Sequence, residues 1–382
     1  MEHTPQENRL EDIINDLSKV VKRDEVLKRI TFLSIMSAWA EHPINLFLRG
    51  PSSTGKTYNV TQAVKYLPAD KVLLLGGLSP TALVHDFGTL VDEDGEEFNG
   101  DDRPIKSDYT MENDKGRTIH DEASFRAANR DWALKLDNAH YRVELGGRVL
   151  VFLEAPNEET FMRLRPILSH DAKEISFKFS DRPGGGRLRT MHVKLCNWPA
   201  AVFCTTDTTY LDELATRSVT FTPDMSVEKY NDAINLLGAR AAEPWLFDFL
   251  DKETEALKAK VAHIINWNEK IDKVLTPYAG EFTQAYKATR ARDMRDVRYV
   301  LNFIGTSTML HYDIRPIMKI NSGSETKSYV MSNYLDLYNA ASVLIHVWEA
   351  TQTGIGEHCI NLFYNIIVPR WKAMGSKDPI SM

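Results

Sequence analysis

The chain has 382 residues, 43% of them hydrophobic and 26% charged, with a formal net charge of −7. That composition is typical of soluble globular proteins, and the length exceeds one ordinary core, so two units or one enlarged α/β domain is expected. No apolar run approaches the roughly 20 residues of a membrane helix, and the acidic balance argues against a surface coated throughout by nucleic acid, although a local basic site remains compatible with it.

Leu10, Ile13, Ile14, Leu17, Val20 and Val21 recur at helical spacing, and a second helix is predicted over 25–39. The first twenty residues, with Glu2, Glu7, Glu11 and Asp12, have neither the basic start nor the apolar centre of a signal peptide. Cys196, Cys204 and Cys359 are scattered and odd in number, without metal-ligand spacing. They read as small buried hydrophobes in a reducing, cytoplasmic protein.

A strand is predicted at 45–48, followed at once by Gly50-Pro51-Ser52-Ser53-Thr54-Gly55-Lys56-Thr57. This is G-x-x-x-x-G-K-T at a strand-to-helix junction, the context that a phosphate-binding loop needs. Its glycines let successive backbone N–H groups turn inward around phosphate. The Lys56 ammonium meets β- and γ-phosphate oxygens, the Thr57 hydroxyl holds Mg²⁺, and the helix opening at Lys56 and Tyr58 adds its positive end. The predicted ligand is a nucleoside triphosphate, ATP with Mg²⁺.

Lys71–Leu75 reads as a short buried parallel strand. Residues 92–122 are rich in Asp and Glu and poor in large apolar side chains, and read as an excursion from the core. A strong strand follows at 149–153, then a helix at 158–168. Two alternating runs, 174–180 and 189–195, surround the hairpin signal Asp181-Arg182-Pro183-Gly184-Gly185-Gly186. Another buried strand is predicted at 200–204. Strands and helices alternate to about residue 222, which indicates an α/β sheet, and the remainder reads as almost wholly helical. Three segments are predicted: N-terminal helices at 1–40, a core at 41–225 carrying the acidic insertion and the hairpin, and a helical lid at 226–382.

A phosphate loop alone leaves kinases, GTPases and motor ATPases open. Hydrolysis also needs an acid at the tip of another strand, and Glu154 follows the strand ending at Leu153. Its carboxylate can accept a proton from the attacking water or approach the metal. Thr205 and Thr206, at the tip of the 200–204 strand, can each bond the water or the γ-phosphate. Arg217 lies about a dozen residues further on, where it can reach a neighbouring protomer and stabilise charge on the transferring phosphoryl group. Arg290, Arg292, Arg295 and Arg298 fall in the helical part.

The order of phosphate loop, strand ending in Glu154, hairpin, threonines, Arg217 and helical lid resembles AAA+ ATPases. It is similar to their helicase branch with a hairpin before the sensing strand, as in MCM-like and viral superfamily 3 helicases. Leu78-Ser79-Pro80-Thr81-Ala82-Leu83-Val84, Leu164-Arg165-Pro166-Ile167-Leu168-Ser169-His170-Asp171 and Asn197-Trp198-Pro199-Ala200 look like the ATPases of primase–helicases from mobile, viral and archaeal elements. The resemblance covers about residues 25–225 well and 280–350 weakly. It implies an AAA+ P-loop core with a parallel sheet, an inserted β-hairpin and a helical lid. Lys56 and Thr57 match the Walker A pair, Glu154 the Walker B acid, Thr205 or Thr206 sensor 1, and Arg217 the arginine finger. Arg292 and Arg295 fall where sensor 2 is expected. The usual Walker B Asp is replaced by Leu153, which leaves the metal to Thr57 and water or to Glu154.

Between residues 160 and 195 eight bases face three acids, a local charge of +5 within an acidic chain. In ring helicases this hairpin enters the central channel and tracks the backbone, so Lys178, Arg182, Arg187, Arg189 and Lys194 are the expected DNA contacts. The resemblance implies a homo-oligomeric ring, a hexamer, acting on single-stranded or forked DNA, with a primase or another replication protein as partner and no membrane. Two other readings stand beside it: an ATP-switched loader, remodelling or defence ATPase acting on protein through the 92–122 surface, and a small-molecule P-loop kinase.

Overall fold

The computed structural model describes residues 7–76, 88–97, 110–130, 138–154, 156, 165–170, 172–181, 189–206, 218–268, 271–286, 288, 293–322, 325–353 and 369. In chain order, helices α1 (Arg9–Val20) and α2 (Glu25–Met36) precede β1 (Leu46–Arg49), α3 (Lys56–Ala63) and β2 (Val72–Leu75). Next come β3 (Gly88–Val91), β4 (Thr110–Glu112), β5 (Thr118–His120), α4 (Glu122–Ala128) and β6 (His140–Glu144). They are followed by β7 (Val149–Phe152), β8 (Glu174–Asp181), β9 (Arg189–Cys196), β10 (Ala200–Thr205) and β11 (Val219–Phe221). The remainder holds α5 (Val227–Ala242), α6 (Trp245–Asn268), β12 (Lys273–Leu275), α7 (Ala279–Ala285), α8 (Asp293–Leu310), β13 (Ile317–Ser322), β14 (Glu325–Met331) and α9 (Tyr334–Thr353). The chain divides into two compact units, one of residues 1–77, 146–170 and 198–382, the other of 78–145 and 171–197.

The first unit is built on a five-stranded sheet in the order β11-β1-β10-β7-β2, in which every neighbouring pair is parallel. Its central strands β1, β7 and β10 are buried at every position, as their unbroken apolar runs require when both faces are covered. Phe47, Phe203 and Phe152 stand opposite one another in register and stack across β1, β10 and β7, with ring centroids 4.4 and 4.6 Å apart. Burying each such ring contributes about 1.5–3 kcal/mol, before any gain from stacking.

The N-terminal helices are part of this core. Leu10, Ile14 and Leu17 of α1 and Ile30 and Leu33 of α2 share one buried cluster with β1, β10, Phe303 of α8 and Val343 of α9. The sequence boundaries at 40 and 225 therefore do not separate cores. The helix predicted over 25–39 is present as α2 continued by a 3₁₀ turn, Ser37–Trp39.

Beyond residue 226 the chain is not wholly helical. It includes a three-stranded sheet in the order β12-β14-β13. Ile317, Met318 and Ile320 of β13 remain exposed, and β14 intersperses Thr326, Lys327 and Ser328 among its few apolar residues, so neither strand carries a clear period-2 signal. A buried polar network joins this region to α1. Arg315 donates two hydrogen bonds to the Asp336 carboxylate, at 2.8 and 2.9 Å, and both side chains are wholly buried. His311 donates from Nδ1 to the Ser307 carbonyl at 2.7 Å and accepts the Arg9 backbone N–H at Nε2, 3.0 Å away. That pairing requires a neutral ring. Burial pushes the His311 pKa down to about 4.

The second unit contains a four-stranded sheet, β3-β6-β9-β8, and a two-stranded hairpin, β4-β5. Strands β8 and β9 are antiparallel from Glu174↔Cys196 to Asp181↔Arg189, within one residue of the hairpin arms expected from alternation. In this register Ile175, Phe177, Val193 and Leu195 share one face, and Ser176, Lys178, His192 and Lys194 the other. Inside the acidic excursion the described residues form β4 and β5, and the helix α4 begins at its last residue, its N-terminus capped by Asp121 accepting from the Ser124 N–H at 3.0 Å. Among the described residues no helix is long and apolar enough to cross a membrane.

Candidate functional site

Parallel pairing in register brings the ends of β1, β10 and β7 to one level. Arg49 stands opposite Thr205, and Glu154 lies two residues beyond Phe152, which pairs with Phe203. Ligands of open parallel sheets bind at these carboxyl ends. Here the ends border a cleft of about 800 Å³, lined by loop residues 52–58 together with Leu153, Glu154, Cys204, Thr205 and Thr206.

The loop takes its shape from two glycines. Gly50 has φ +149° and Gly55 has φ +83°, conformations that residues with a Cβ rarely adopt. Gly55 is the N-cap of α3, so the first helical N–H groups of Lys56 and Thr57 open onto the cleft. Lys56 is almost fully buried, and its ammonium donates to the carbonyls of Gly50 at 2.7 Å and Pro51 at 2.6 Å, and to Thr54 Oγ1 at 3.2 Å. Burial pushes its pKa down; the nearby Lys229 charge acts in the same direction and Cys204 against it. Beneath the loop, burial pushes the Cys204 thiol up to about 11, opposed by a hydrogen bond with Thr57.

Lys56, Thr57, Tyr58, Glu154, Thr205 and Thr206, which are far apart in the chain, thus line one cleft. Thr205 is buried, whereas Glu154 and Thr206 are exposed at its rim. Arg295 is exposed on α8 and is not among the lining residues. Lys178 is exposed, and Lys194 is half-buried and paired with Glu174 at 3.4 Å, both on the polar face of the β8–β9 hairpin. The backbone of Arg189 stands opposite Asp181. Arg182, Arg187, Arg217 and Arg292 lie outside the described residues, as do the segments 78–84 and 157–164.

Thr57 and Glu154 supply the hard oxygen donors that Mg²⁺ accepts, and Mg²⁺ commonly binds through one or two protein groups plus substrate phosphates. Among the described residues no cluster of three or more His, Cys, Asp or Glu could hold a metal by itself.

Sequence reading missed the back of the loop. Lys229, in the first turn of α5, donates to the Thr54 carbonyl at 2.8 Å and the Asp224 carbonyl at 2.9 Å, and is ion-paired with Asp24 from the α1–α2 connection. Burial pushes the Asp24 carboxyl above its ordinary pKa, against the opposing pull of Lys229. One signal was available: a lysine three residues after the Ser226 N-cap sits at the positive end of a helix, where a cation is disfavoured unless it has a partner.

No known protein-family profile matches the chain, and no curated protein matches it significantly. The fold is α/β with a parallel central sheet, compatible with a P-loop core.

Proposed function

We propose that this chain is an ATP-hydrolysing motor of the AAA+ class that assembles into a ring and moves along single-stranded DNA. The observation that carries the reading is the convergence of Glu154, Thr205 and Thr206, from two different strands, on the cleft formed by the phosphate loop. The loop N–H groups and Lys56 receive the triphosphate. Glu154 accepts a proton from the attacking water, and a hydroxyl of Thr205 or Thr206 orients that water or the γ-phosphate. Thr57, with Glu154 or water, would hold Mg²⁺, which would supply neutralisation of the phosphate charge. Arg217 of a neighbouring protomer completes the charge stabilisation, which makes the ring a requirement for fast turnover.

The DNA assignment is supported by the hairpin. Its polar face carries Lys178, His192 and Lys194, and the segment 160–195 that contains it has a local charge of +5 within an acidic chain. Such a surface follows a phosphate backbone without reading sequence.

The test is Mg-ATP hydrolysis with and without a single-stranded oligonucleotide. The parent protein should be stimulated, and Lys178→Ala combined with Lys194→Ala should lose stimulation and keep basal turnover. A parent whose hydrolysis ignores DNA would remove the motor reading and leave an ATPase acting on protein.

A further inference from the structure

Behind the phosphate loop the structure holds a buried ion pair that the hydrolytic scheme does not use. Lys229 and Asp24 are both nearly inaccessible, and they come from segments separated by about two hundred residues. Removing two charges from water is costly, and apolar residues of similar size fill such a space without that cost. The pair is anchored at every corner. Asp24 accepts the Asp224 backbone N–H at 2.7 Å, and its own carbonyl accepts the Lys28 N–H at 2.9 Å. Asp224 in turn holds the Ser226 N-cap through its backbone N–H at 2.8 Å and its hydroxyl at 2.7 Å.

The connection that carries Asp24 is also strained. Arg23 and Asp24 are consecutive non-glycine residues in the left-handed region, with φ of 52° and 57°. Such conformations persist where the surroundings over-determine them, and they cluster at functional sites. Here both residues are tied to α5: Arg23 donates to Asp232 at 2.7 Å, and Asp24 pairs with Lys229. Two ion pairs therefore clamp the turn onto the same helix that sends an ammonium into the loop.

That ammonium reaches two backbone carbonyls, Asp224 beside its own helix and Thr54 in the phosphate loop. Lys229 Nζ draws the Thr54 carbonyl at 2.8 Å, and Lys229 is not among the residues lining the cleft. In a planar trans peptide the carbonyl and the following N–H point in opposite directions. With the Thr54 carbonyl held toward the back, the Gly55 N–H is turned toward the cleft. The approach is close: a Cβ added to Gly55 would meet Lys229 Nζ at 3.7 Å.

We propose that Lys229 and Asp24 are a positioning pair that fixes the Thr54–Gly55 peptide, so that the Gly55 amide is presented to the phosphates of a bound nucleotide. Neither residue touches the substrate. Lys229 acts through the Thr54 carbonyl, and Asp24 acts by keeping the ammonium in place. The proposal rests on reading the cleft as a triphosphate site.

The experiment is calorimetric titration with Mg-ATPγS, combined with the ¹⁵N–¹H resonance of Gly55. The double variant Asp24→Asn/Lys229→Met removes both charges together, so no unpaired ion is left buried. It should fold, bind Mg-ATPγS at least tenfold more weakly, and lose the shift of the Gly55 resonance that the parent shows on binding. Lys229→Arg, which still donates to the Thr54 carbonyl, should recover binding to within about threefold. A folded double variant that binds within twofold of the parent, with the Gly55 shift intact, overturns the proposal. Should the double variant fail to fold, Asp24→Asn alone decides: weakening of threefold or more supports the pair, and unchanged affinity rejects it. A parent that does not bind Mg-ATPγS defeats the nucleotide reading itself, an outcome visible before any variant is made.

Discussion

Glu154 and Thr205 stand at the same level of the central sheet, each two residues beyond a member of the paired Phe152 and Phe203. A water accepted by one can therefore be oriented by the other. Glu154→Gln keeps the size and polarity of the side chain but cannot take a proton. Turnover of Mg-ATP should fall by about 10²–10⁴-fold with nucleotide affinity within about threefold of the parent, measured by single-turnover hydrolysis and equilibrium binding.

Lys56 spends its ammonium on the carbonyls of its own loop, Gly50 and Pro51. Its charge is held against the pull of burial, so its removal should leave the fold nearly unchanged while abolishing phosphate recognition. Lys56→Ala should shift the unfolding free energy by no more than about 1 kcal/mol, because desolvation relief offsets the lost hydrogen bonds. Triphosphate binding should become undetectable in the same preparation. Chemical denaturation and titration calorimetry give the two numbers separately.

The stack of Phe47, Phe203 and Phe152 is the centre of the sheet, with Phe203 touching both neighbours. Phe203→Ala should cost about 3–5 kcal/mol in urea denaturation. Phe203→Leu, which refills most of the volume, should cost less than half as much. Similar losses for the two would mean that ring stacking, not volume, holds these strands.

Stability should depend on His311 in a defined pH window. In the unfolded chain this ring titrates near 6.5, whereas in the folded protein it stays neutral down to about pH 4. Between these values the unfolded state binds a proton that the native state refuses, so stability is fully present above pH 6.5 and declines as pH falls toward 4. Urea midpoints at pH 7, 6 and 5 should decrease in that order. His311→Asn should start from a lower midpoint and show a flatter slope.

Much of the first unit was legible because its strands are buried on both faces, and runs such as Val149–Phe152 and Ala200–Thr205 announce themselves without a period. The loop at 50–57 was equally plain, since its glycines and lysine are dictated by local backbone geometry and charge. Glu154, Thr205 and Thr206 could be nominated because strand tips follow directly from strand runs. The sheet of β12, β13 and β14 was not legible, because exposed Ile317, Met318 and Ile320 interleave with polar residues and yield no clear alternation. Nor was the Asp24–Lys229 pair. Local pattern describes neighbours within a few residues, and this contact links the α1–α2 turn to a helix beyond the last strand of the central sheet.

The parallel pairing of β6 with β9 makes one sheet from two separate stretches of chain. One detour of the polypeptide, made before β7, supplies β3 and β6; another, made after it, supplies β8 and β9. Neither half amounts to more than a two-stranded ribbon, which has marginal stability by itself. Grafting this sheet onto another scaffold would need four splice points, two for each detour.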